Sequence, residues 1–118
     1  MKKYKVITAH KSEYPNPITF IKGTLLQIGE KYQANPLWDN WYLCSVADQH
    51  DGWVPSQVIQ WLSATQGRAL QDYTAKELDV CPGEMVQVTR QLNGWAWCIK
   101  ISNEQHSGWL PQEKLNGF

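Results

Sequence analysis

GWVPSQVI, Gly52–Ile59, is followed fifty-six positions later by GWLPQEKL, Gly108–Leu115. A chain of 118 residues that spells Gly-Trp-aliphatic-Pro twice invites a search for further echoes, and they run its whole length. FIKGTLLQI (Phe20–Ile28) matches VCPGEMVQV (Val80–Val88) at an offset of 60, with Gly on Gly and Gln27 on Gln87. WYLC (Trp41–Cys44) matches WAWC (Trp95–Cys98) at an offset of 54. The offsets change only between matched blocks, the signature of two copies of one supersecondary plan whose loops differ in length.

The blocks themselves read as strands. KVIT, LLQI, WYLCSV and GWVP are short and rich in aliphatic and aromatic residues, and YPNP, ANPLWDN and ADQHDG between them carry turn residues. No window holds a helical apolar stripe. Alternation along WYLC predicts Tyr42 and Cys44 on one face, Trp41 and Leu43 on the other. The fold class that follows is all-β, with two small five-stranded barrels in tandem. WLSATQG (Trp61–Gly67) lacks periodicity and predicts a linker at about 61–67, dividing the chain into domains 1–62 and 63–118 with no sheet crossing between them. Extended, seven residues reach at most ~25 Å. Halves of about 60 residues bury only ~60% of their unfolded surface, so docking of the two is expected to help both.

Composition narrows the function. Eleven basic and eleven acidic side chains give zero net charge, which argues against a nucleic-acid partner. No run of like charge and no long apolar segment suggests a membrane partner. MKKYKVITAHK has a charged opening without an apolar core, so no secretory signal is read and a cytoplasmic location is the expectation. The three cysteines, Cys44, Cys81 and Cys98, form neither C-x-x-C pairs nor metal-ligand spacings, and read as reduced thiols. No cofactor, metal or nucleophile–base set is implied, and an enzyme is not expected. Seven tryptophans against two phenylalanines point to aromatic binding surfaces, because an indole N–H needs a partner wherever it is hidden.

The second half resembles a Src-homology-3 (SH3) domain. ALQDY (Ala69–Tyr73), ELDVCPGE (Glu77–Glu84), WAWC and GWLPQEKL stand in the order of that family's ALYDY, ELSF-x-x-GE, central Trp strand and GYIP-S-N-Y motifs. The first half lacks ALYDY, having VITAH (Val6–His10), and resembles the variant SH3 domains found in bacterial proteins. The resemblance implies a peptide ligand, proline-containing or carrying a basic or aromatic anchor, held in an aromatic groove. On the second half it implies Tyr73, Glu77, Trp95, Trp109 and Pro111 as ligand-binding residues, with two groove tyrosines replaced by Gln71 and Lys114. On the first half it implies Trp41, Trp53 and Pro55, with the tyrosines replaced by Thr8, His10 and Val58 and Pro17 at the acid's position. Tyr14 and Trp38 lie near these and suggest a second kind of groove. It also places Cys44 and Cys98 in the cores, with Cys81 in a turn. His10, His50 and His106 share no spacing and read as solvated.

Several functions meet these observations. The leading one is a non-catalytic module binding a peptide or protein segment through Trp-lined grooves. A scaffolding or oligomerisation unit, its grooves filled by neighbouring chain, is a second; docking of the two halves would bury Trp38 and Trp61. Recognition of bacterial cell-wall peptide and an RNA-binding barrel follow, disfavoured respectively by the missing secretion signal and the zero net charge.

Overall fold

The structure, a computed structural model, describes residues 2–117. Eleven strands are present among them: β1 Lys3–Lys5, β2 Thr19–Phe20, β3 Leu25–Lys31, β4 Trp41–Ser45, β5 Gly52–Pro55, β6 Ile59–Trp61, β7 Gln66–Ala69, β8 Tyr73–Thr74, β9 Met85–Leu92, β10 Trp95–Lys100 and β11 Ser107–Pro111. The helical content among the described residues is two three-residue 3-10 turns, Ser56–Val58 and Gln112–Lys114.

Ser63 sits at the decisive turn. Its hydroxyl accepts from the backbone N–H of Thr65 and of Gln66, at 3.3 and 3.1 Å. The N–H groups of Leu62 and Ser63 donate to the Gln66 carbonyl at 2.9 and 3.2 Å. Such local side-chain bonds stabilise turns of this kind. The chain therefore reverses within Leu62–Thr65, and β6 pairs antiparallel with β7, Ile59 on Ala69 and Trp61 on Gly67. The stretch expected to be a linker is a hairpin turn inside one sheet.

The consequence is a division other than 1–62 and 63–118. The chain separates into a first unit, Met1–Pro15 with Glu77–Phe118, and a second unit, Asn16–Lys76. It enters the second unit after Pro15 and returns after Lys76. A four-residue turn keeps β7 beside the strand that precedes it, so ALQDY serves the second unit. The opening strand of the first unit comes from the start of the chain.

Backbone hydrogen bonds confirm the equivalence. In the second unit Gly23 N–H donates to Ala69 O (2.8 Å), Ala69 N–H to Thr24 O (2.9 Å) and Leu70 N–H to Val58 O (2.8 Å). In the first unit Gly83 N–H donates to Val6 O, Val6 N–H to Glu84 O and Ile7 N–H to Lys114 O, each at 2.8 Å. Val6 therefore stands in the first unit where Ala69 stands in the second, and counting onward sets Thr8 against Gln71 and His10 against Tyr73.

In the second unit the sheet order is β5-β4-β3-β7-β6, with β2-β8 as a separate pair. Its buried side chains include Ile18, Phe20, Leu26, Ile28, Cys44, Val54, Val58 and Ile59. The first unit has the sheet β1-β9-β10-β11 over a core of Val6, Leu78, Val80, Val86, Val88, Ala96, Cys98, Leu110 and Leu115. Closed five-stranded barrels were the expectation; the sheets are open. In the first unit the two edge strands, β1 and β11, do not pair, and a single bridge from Val6 to Leu115 lies beyond them.

The repeated glycines have two different causes. Gly23 and Gly83 have φ of 91° and 96°, a region an L side chain enters only at a cost. Gly52 and Gly108 are instead crowded. A Cβ on Gly108 would lie 2.8 Å from the Glu77 carbonyl carbon and the Leu78 nitrogen, and one on Gly52 would lie 2.5 Å from Ile18 Cγ2. Gly108→Ala must displace backbone, and is expected to cost about 2 kcal/mol, read as a lower denaturant midpoint at unchanged slope.

Cys44 and Cys98 are fully buried, as expected, each paired across β-ladders with the glycine of the GWVP or GWLP motif. Burial pushes both thiols up to about 12, with Asp51 adding to the effect at Cys44. Cys81 is exposed. At pH 8 the two buried thiols stay protonated, and the thiolate is the reactive form. A chromogenic disulfide reagent is expected to titrate one thiol per native chain and three after denaturation.

Candidate binding site

The WAWC strand, β10, alternates cleanly. Ala96 and Cys98 are buried while Trp95 and Trp97 are only partly buried on the other face. Trp95 pairs across the ladder with Pro111, and Trp97 with Trp109, whose ring it meets edge-on at a centroid distance of 5.4 Å. Trp109 itself is buried at 4% exposure, so it forms a wall rather than a free anchor.

Beside Trp95 lies a charged chain of contacts that sequence reasoning missed. His10 Nε2 is 2.6 Å from Glu77 Oε1, and His10 Nδ1 is 2.9 Å from Lys114 Nζ. Lys114 also donates to the Ala9 carbonyl at 3.0 Å. An ammonium has donors only, so Nδ1 accepts and the imidazole proton sits on Nε2, donating to Glu77. The His10 ring is thus clamped between the Glu77 carboxylate and the Lys114 ammonium. Its ring meets Trp95 edge-on at 5.9 Å. The side chains of His10 and Glu77 are only 11% and 12% exposed, so His10 is not the solvated histidine the sequence suggested. The available signal was the brevity of the turn after Trp61, which reassigns Thr8 and His10 to the half containing Trp95.

The second unit gathers different rings. Tyr73 is buried, donates its hydroxyl to the Trp53 carbonyl at 3.0 Å and packs on Phe20 at 5.6 Å. Tyr73 therefore does not join Trp95 and Glu77, with which it was grouped, but Trp53. Tyr32 contacts Trp53 at 5.2 Å and Trp38 at 5.9 Å, giving three partly buried rings in series. Trp41 is buried at 6% and its ladder partner Pro55 is buried too. The alternation expected along WYLC fails here, since Trp41 and Cys44 are both buried and the β3–β4 register shifts between Ile28 and Lys31. Tyr14 belongs to the first unit and Trp38 to the second, so the aromatic groove drawn around both is not built within either unit. Tyr14 is 44% exposed, and Trp61 is 43% exposed with its ring against Tyr42 at 5.0 Å.

A Trp at the start of a central strand, opposite a Pro at the end of the next and flanked by an acid on a preceding loop, is the arrangement in the first unit. The variant SH3 domain model matches residues 3–62. The chain belongs to that family. The SH3 match follows sequence order and runs across the point where the chain passes between the units. No curated protein and no solved structure matches the chain. SH3 domains generally mediate protein or peptide binding and are generally non-catalytic. No helix among the described residues is long and apolar enough to cross a membrane.

Proposed function

We propose that this protein is a non-catalytic binding module that takes an extended peptide or protein segment on the Trp95 face of its first unit. The observation that carries the reading is Trp95 itself. It is partly buried, aligned with buried Pro111, and bordered by the Glu77–His10 pair. A flat indole edge beside a fixed acid suits an anchor that is both apolar and basic. Thr8, His10 and Lys114 replace the rings that grip regularly spaced prolines, so a plain P-x-x-P peptide is expected to bind at about 1 mM, ~4 kcal/mol.

A peptide-array screen on the intact chain, followed by titration, tests the proposal. Trp95→Ala is expected to weaken binding by about 2 kcal/mol, roughly thirtyfold, with the thermal transition little changed. Unaltered affinity would remove Trp95 from the site. For the second unit an occluded, scaffolding role is the better-supported reading, because Trp41, at the position Trp95 holds in the first unit, is buried.

A further inference from the structure

Lys114 lies beside His10 without a carboxylate to answer its charge. Lys31 meets Asp39 at 3.1 Å and Lys100 meets Glu84 at 3.2 Å. Lys114, partly buried on the 3-10 turn Gln112–Lys114, has no carboxylate within ion-pair distance among the described residues. Its two acceptors are the Ala9 carbonyl and His10 Nδ1, neither of them a carboxylate. Glu77 is kept from it by the imidazole, to which Glu77 is bonded. A partly desolvated ammonium is held in one position with a third N–H unspent. Counter-charge there gains more than at an exposed lysine, because the site is screened less and the geometry is already fixed.

We propose that Lys114 is a carboxylate-binding subsite, and that the preferred partner is an extended peptide carrying an acidic side chain at the position that meets it. The inference rests on the reading of the Trp95 face as the groove. It deepens that reading by naming the second group the partner must carry. Glu77 Oε1 and the Lys114 ammonium flank one imidazole ring, so the face offers opposite charges on either side of His10. Where the slot would otherwise take an uncharged proline ring, it takes an anion.

The test uses the intact chain and two blocked peptides that carry the basic anchor, acetyl-RPPDPPLPP-amide and the same peptide with Asn for Asp, titrated by 1H–15N NMR with the Trp95 indole signal as one reporter. The Asp peptide is expected to bind about tenfold more tightly at low salt. The preference is expected to disappear in Lys114→Gln and to be retained in Lys114→Arg. Equal affinity of the two peptides, with the Trp95 signal moving in both titrations, overturns the carboxylate subsite and leaves the groove standing. A preference that survives in Lys114→Gln places the acid elsewhere and also overturns it. No movement of the Trp95 signal with either peptide overturns the groove and the subsite together. Sodium acetate, added alone to the same concentration, separates capture of any carboxylate from recognition of the peptide. A shift of the neighbouring amides equal to that with the Asp peptide counts against a peptide partner.

Discussion

Residues 16–76 expressed alone are expected to fold, and residues 1–62 are not. The first fragment holds every strand of the second unit, including β7 and β8. The second fragment lacks both. Without Gln66–Ala69, β3 loses its partner along Leu25–Gln27 and β6 loses its only ladder. Without Tyr73, Phe20 loses its ring contact and Trp53 the hydrogen bond to its carbonyl. Burying one Tyr and the small Ala69 is worth a few kcal/mol by area alone. A domain of about 60 residues has little more than that in total. Dispersed amide signals and a cooperative melt for 16–76, against a collapsed spectrum for 1–62, are the expected results. A well-dispersed 1–62 would show that Lys3–His10 can take the place of β7, and that the pairing seen here is one of two available.

A single charge at Val6 makes the same point within the intact chain. Val6 is 1% exposed, in the core formed by Leu78, Val80, Val86, Ala96, Leu110 and Leu115. Val6→Asp places a carboxylate there with no partner, a cost of several kcal/mol and comparable to the stability of the unit. The loss is expected to fall on amides more than seventy residues away in sequence, those of Ala96, Cys98 and Leu110. Amides of Leu26, Ile28 and Val54 in the second unit should keep their hydrogen-exchange protection. Protection lost around Leu26 and Ile28, and kept at Ala96, would reverse the strand assignment.

The all-β class, the buried Cys44 and Cys98 and the exposed Cys81 were all legible in the sequence. They depend on period-two patterning, turn residues and repeated motifs, which are local. The Trp95–Pro111 pairing was legible for the same reason, since β10 and β11 are neighbours in the chain and in the sheet. Strand partnership was not. VITAH and ALQDY each carry the chain out of a short strand, β1 or β7, and either meets the pattern of either unit. The four residues Leu62–Thr65, bonded to Ser63 and Gln66, select between them by keeping β7 on β6. That one turn moved His10 from a loop into the space between Glu77 and Lys114, and put Tyr73 in the unit of Trp53. The sequence by itself determined which strands would form and which side chains they would carry. Only the tertiary structure decided which unit each strand would join, because a short turn restricts where a strand can go and no periodicity records that restriction.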